Sequence, residues 1–233
     1  MRLAVFLALV LVPAPAVAKC ARMGLAPSVL TPADSAITIG GGIVVGATDA
    51  QGDQLDPGDV AVQPTWRFAG VATAPVIDLI APGLAVYRLP ATATKATLED
   101  AKHGVRVRVT VGDDKPLVLD APKPKAIKHT AGMGRRPFTH IVVELREAIP
   151  PGAIAIVLAD AAGKPRSWHR VDAGAMTASV FDISRCRVLP NGTIESKGGD
   201  LVTLFWVDRA GRKSPASKPF AITHVATPGA VID

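Results

Sequence analysis

Val105-Arg106-Val107-Arg108-Val109-Thr110-Val111 alternates without a break between apolar and polar residues. A period of two places the valines on one face of an extended chain and the arginines with Thr110 on the other. That is the pattern of a strand with one face in a core and one in water. The period recurs downstream, where Ile141, Val143 and Leu145 alternate with His140, Glu144 and Arg146. Between such segments stand turn residues: Ala81-Pro82-Gly83, Pro150-Pro151-Gly152, Ala162-Gly163-Lys164-Pro165 and Asn191-Gly192. The 233 residues include 21 glycines and 20 prolines, and no stretch free of both repeats apolar residues at helical spacing. The chain therefore reads as all-β, with short strands whose apolar faces are hidden by stacking sheet on sheet.

Individual segments add detail. Leu201 to Val207 is apolar on both faces and reads as a central strand. Pro27 and Pro32 fence an edge strand, since proline cannot sit in a central ladder. Ile37-Thr38-Ile39 and Ile43-Val44-Val45 flank Gly40-Gly41-Gly42, which predicts a hairpin or a bulged strand.

The organisation follows from the ends and from the charge. Arg2, the apolar run Leu3 to Val12 and the small-x-small site Ala16-Val17-Ala18 have the layout of a secretory signal peptide over residues 1–18. No later run approaches the roughly 18–20 apolar residues of a membrane helix. Residues 19–100 carry a net charge of −3 and residues 101–233 a net charge of +8. Such asymmetry points to two domains. Gly112 to Lys128, with Pro122-Lys123-Pro124-Lys125, reads as the stiff connector between them. The boundaries expected are 19–116, 117–226 and a tail over 227–233. Ile77 to Leu89 and Val143 to Leu158 form a faint internal echo of strand, turn and strand.

One segment carries a resemblance. Leu204-Phe205-Trp206-Val207-Asp208-Arg209-Ala210-Gly211-Arg212-Lys213-Ser214-Pro215-Ala216-Ser217-Lys218-Pro219 resembles the end of a fibronectin type III or related immunoglobulin-like domain. There an apolar strand leads into an Asp-x-x-Gly turn, a Ser/Pro segment and the last strand. The resemblance implies a β-sandwich fold for 117–226 and no functional residue, because such domains share a scaffold and not a site. The fold class expected is therefore two tandem immunoglobulin-like β-sandwich domains after a cleaved leader.

Cys20 and Cys186 are the two cysteines. In an oxidising compartment an even count favours one disulfide between them. The alternatives are two free thiols or a lipid-modified Cys20, the last opposed by Lys19 where a small residue is wanted. Catalytic signatures are missing: there is no Gly-x-Ser-x-Gly, His-Glu-x-x-His or phosphate loop. No cofactor is expected. Asp49, Asp53, Asp56 and Asp59 are a weak calcium candidate, with hard oxygen ligands but not the spacing of a dedicated loop. The basic residues Arg135, Arg136, Lys164, Arg166 and Arg170, with Lys123, Lys125 and Lys128, form a candidate binding patch. Trp168 sits among them as the candidate ring for exposure and binding, while Trp66 and Trp206, each in an apolar strand, read as core. Only 4% of residues are aromatic, which argues against a nucleic-acid platform. The usage, heavy in Ala, Val, Gly, Pro and Arg, is of a bacterial kind. These readings predict a non-enzymatic structural or binding module of the bacterial envelope, periplasmic or secreted. Its partner would be an envelope protein, an anionic glycan or lipopolysaccharide. The alternative is an adhesin-like or polyanion-binding protein acting through the basic second domain.

Overall fold

The computed structural model describes residues 25–49, 66–101, 104–112, 116–131, 138–184 and 199–225. These residues form sixteen strands and no helix. The first eight are β1 (Leu25–Val29), β2 (Ser35–Thr38), β3 (Gly42–Asp49), β4 (Trp66–Ala69), β5 (Val76–Ala81), β6 (Leu84–Arg88), β7 (Lys95–Asp100) and β8 (Val105–Gly112). The second eight are β9 (Pro124–Ala131), β10 (Phe138–Leu145), β11 (Ala153–Asp160), β12 (Pro165–Arg170), β13 (Thr177–Ser184), β14 (Leu201–Asp208), β15 (Phe220–Ala221) and β16 (Thr223–Val225).

No strand of the first eight pairs with one of the second eight. The N-terminal half builds the sheets β1-β3-β6-β5 and β2-β8-β7-β4. The C-terminal half builds β12-β11-β14-β15 and β13-β10-β9-β16. With letters in chain order, β1-β3-β6-β5 is A-B-E-D and β4-β7-β8 is C-F-G, the immunoglobulin constant-type arrangement. Strand β2 is added outside G, running parallel to β8. In the C-terminal half the fourth strand, β12, has moved beside the third, the place of C′ in the variable-type arrangement.

The glycine run acts differently from the sequence expectation. β2 and β3 are neither a hairpin nor one bulged strand, because they belong to different sheets. Gly40-Gly41-Gly42 carries the chain across from one to the other, with Gly40 at φ +76°, a conformation open to glycine. The β8 alternation is as expected: Val107 and Val109 are buried while Arg106, Arg108 and Thr110 face water.

Three apolar clusters set the order of the sheets. One joins Ile43, Val45 and Tyr87 to Leu98, Val107 and Val109, packing the two N-terminal sheets together. Another joins Ile127, Ile141 and Val143 to Ile156, Leu204 and Trp206, packing the two C-terminal sheets. The third lies between the halves: Val44, Ile80, Leu84 and Val86 meet Ala155, Val157, Trp168, Phe205 and Val207. The molecule is thus a stack of four sheets. Strands β3, β6, β11 and β14 sit in its two middle layers, which explains why their sequences are apolar on both faces.

Candidate functional site at the junction of the halves

The junction is built from the β14–β15 connector. Asp208, only 2% exposed, turns its carboxylate back onto the chain. Its Oδ1 accepts hydrogen bonds from the backbone N–H groups of Ala210 and Arg212, each at 2.8 Å. The turn so formed holds three successive carbonyls toward the N-terminal half. Arg209 O accepts from Thr31 Oγ1 at 2.9 Å. Ala210 O accepts from Gly42 N at 2.9 Å and from Arg88 Nη1 at 3.4 Å. Gly211 O accepts from Arg88 Nη2 at 2.9 Å. The same Nη2 donates to Asp78 at 2.9 Å, which holds the guanidinium in place. Thr31, itself buried, also accepts from Val44 N at 2.8 Å, so its hydroxyl is bound on both sides. The Ala210 methyl enters the N-terminal core.

Glycines let the surfaces approach. A methyl group on Gly46 would overlap the indole of Trp168, and one on Gly211 would overlap Val86. Gly211 also has φ +76°, where a side chain is strained in any case.

Trp168 is therefore not an exposed ring. It is 2% exposed, and the outer edge of its indole lies against Gly46 of β3 in the middle of the stack. The physical reason is the second sheet face: β12 flanks a sheet whose outer side is covered by the other half rather than by water. The other members of the patch are scattered or compensated. Lys164 and Arg170 are exposed on or beside β12. Arg166 is tied to Asp160 at 2.5 Å, Lys123 to Glu147 at 2.8 Å, and Lys128 to Glu144. Arg135 and Arg136 lie outside the described residues, as do Cys20, Cys186, the leader 1–18, the tail 227–233 and the Asn191-Gly192 turn. Asp49 closes β3, while Asp53, Asp56 and Asp59 lie outside the described residues. Among the described residues no three His, Cys, Asp or Glu side chains come together as metal ligands.

Thr31, Arg88 and Gly46 are the junction residues that sequence reading missed. Gly46 had a readable signal, since a glycine inside a Val/Ile strand marks a close approach of another group. A cleft of about 170 Å³ beside Trp206, lined by Leu119, Lys123 and Glu147, falls short of the volume a small-molecule ligand needs.

Asp160 repeats the turn chemistry of Asp208. In Asp160-Ala161-Ala162-Gly163-Lys164 its Oδ1 accepts from Ala162 N at 3.0 Å and Lys164 N at 2.9 Å. The Lys164 amide bond, helped by Arg166 and the Ala162 amide, holds its carboxyl below the usual aspartate value. A depressed value in the folded state means the stabilisation is complete above the ordinary range and is lost as pH falls through the folded value. Melting temperatures taken from neutral pH down to about pH 2 should therefore show Asp160→Asn less stable than the native chain at neutral pH. The gap should narrow in acid; a gap constant with pH would refute it.

No protein-family model and no curated protein matches this chain. Among solved structures it is similar to the BSP domain of a biofilm-associated protein, with 13% identity and a TM-score of 0.29 over 84% of this chain and 30% of that one. It is similar to the Bacteroides ovatus SGBP-B of a mixed-linkage glucan utilization locus, with 12% identity and a TM-score of 0.22 over 82% of this chain and 43% of that one. The tandem Ig repeats of Dlar match at 9% identity and a TM-score of 0.25 over 88% of this chain and 100% of that one. The chain spans less than half the length of the first two. Likenesses this distant carry no chemistry across, and the immunoglobulin-like assignment rests on strand order.

Proposed function

We propose that the chain is an exported, non-enzymatic binding or structural module of the bacterial envelope, built as two tandem immunoglobulin-like domains of which the second is of fibronectin type III kind. The observation that carries this reading is the interlocked junction. Arg88, Thr31, Asp208 and Trp168 are all engaged where the two halves meet, which supports a scaffold role. A rigid pair of sandwiches presents edges and end faces at fixed separation, which suits a spacer or a docking platform. The edge strand β5 shows what such an edge offers, with Val76, Ile77 and Leu79 exposed on it.

Export and lack of catalysis are tested separately. Fractionating bacteria that express the tagged chain should yield a form shortened by residues 1–18 in the periplasm or medium. Full-length protein confined to the cytosol would end the export reading. Purified protein should leave generic ester, glycoside and peptide substrates intact, and reproducible turnover of any of them would overturn the non-enzymatic one.

A further inference from the structure

The stack has two end faces, and they differ in charge. At the C-terminal end, Lys128 reaches diagonally to Glu144 between β9 and β10, and Lys125 lies near the same carboxylate, so two lysines share one acid there. At the N-terminal end, the outer face of β4-β7-β8 carries Arg67, Lys95, Arg106 and Arg108, all exposed, against the single carboxylate of Glu99. Glu99 pairs with Arg106 at 3.1 Å, and both remain largely in water. The excess charge counted over residues 101–233 includes Arg106 and Arg108, which β8 carries in the N-terminal half, so this face is visible only once the strands are aligned.

Register arranges the cations in a line. Arg106 and Arg108 are two residues apart on β8, about 6.8 Å along the strand. Thr110 follows at the same interval, and Lys95 on β7 stands directly opposite it. Arg106, Arg108 and Lys95 thus form a row that runs obliquely across two strands. Thr97 lies opposite Arg108, so the hydroxyls of Thr97 and Thr110 alternate with the charges. Ala36 and Ala69, exposed on the flanking strands, leave nothing standing above the row.

We propose that this face binds a linear anionic polysaccharide laid along the Arg106–Arg108–Lys95 row. Guanidinium forks donate bidentately to carboxylate or sulfate groups, and a row of cations suits a polymer whose charges repeat. The threonine hydroxyls supply partners for sugar hydroxyls between charges. A nucleic acid fits less well, because no described residue on the face offers a ring for bases to stack on. A bilayer fits less well too, because no large apolar side chain projects from the described part of the face to enter it. The proposal does not need the binding-module reading of the whole chain: the scaffold can stand while this ligand fails.

The probe is polygalacturonate, titrated calorimetrically into the whole chain at low and at high salt. The row variant Lys95→Ser/Arg106→Ser/Arg108→Ser is compared with Lys125→Ser/Lys164→Ser/Arg170→Ser, which removes the same charge from the other half. The row variant should lose about ten-fold or more in affinity while the control stays within about two-fold, and binding of the native chain should weaken with salt. Equal losses in both variants would mean that net charge alone is sensed and would overturn the proposal. So would undiminished binding by the row variant, no binding by the native chain, or tighter binding to single-stranded DNA or anionic vesicles. Native-like dichroism is required of each variant. Should the triple variant misfold, Arg108→Ser alone is expected to weaken binding about three-fold, and an unchanged affinity would count equally against the row.

Discussion

Replacing Trp168 by alanine should cost about 3–5 kcal/mol of stability, the range for deleting a large aromatic side chain from a packed interior. The indole fills the middle of the four-sheet stack, between β3 and the sheet that holds β11 and β14. Loss of the ring also weakens the apolar cluster that couples the halves. Calorimetry of the native chain should give one cooperative transition, whereas Trp168→Ala should separate it into two as each half melts on its own core. Gly46 provides the check on mechanism. Gly46→Ala alone forces a methyl into the indole and destabilises; in the Trp168→Ala background the methyl has room, and the penalty should vanish or reverse. Additive costs would mean that the two residues do not meet. A cost below about 1 kcal/mol for Trp168→Ala would place the ring at a surface.

How much of this was legible in the sequence depends on which physical signal carried each part. The all-β class and the alternating strands β8 and β10 were readable because a half-buried strand writes its environment at a period of two. The edge position of β1 was readable from Pro27, and the interior position of β14 from its unbroken apolar run. That same run held a message that a plain two-sheet sandwich does not account for. Ile43-Val44-Val45, Leu84-Ala85-Val86 and the residues of β11 share it, and a strand buried on both faces needs a sheet on each side. Four such strands together imply four layers. The internal echo misled because turn chemistry looks alike in different contexts: β5 and β6 are neighbours in one sheet, whereas β10 and β11 belong to different sheets. The basic patch was legible only in part, because composition counts charges without pairing them. The structure shows that Lys128, Arg166 and Arg106 each meet a carboxylate, and register shows that Arg106, Arg108 and Lys95 align. Trp168 misled because its polar neighbours in sequence carry no trace of the N-terminal sheet that covers its face of β12.

The Asp-x-Ala-Gly turn occurs twice, and the pair allows the junction to be tested with matched chemistry. Asp160 and Asp208 make the same two bonds to backbone N–H groups two and four residues on. Each precedes a glycine in the left-handed region, Gly163 at φ +80° and Gly211 at φ +76°. They differ in what lies outside. Ala161, Ala162 and Lys164 face water, so a relaxed turn there finds solvent partners for its amides. Asp208 is enclosed, and without its carboxylate the Ala210 and Arg212 amides lose charged acceptors where water has little access. Hydrogen bonds to a charged group contribute about 1.5–3 kcal/mol each, so losing two in Asp208→Ala should cost about 3–6 kcal/mol. The loss should spread beyond the turn, because the carbonyls that meet Thr31, Gly42 and Arg88 are held in line by the same carboxylate. Asp160→Ala should cost clearly less and leave the halves coupled. Urea unfolding of the two variants side by side reads both effects, as stability and as the number of transitions. Equal costs would show that the turn matters only as a turn. A larger cost at Asp208, with the transition split, would show that its carboxylate aligns the Arg209, Ala210 and Gly211 carbonyls that the N-terminal half grips.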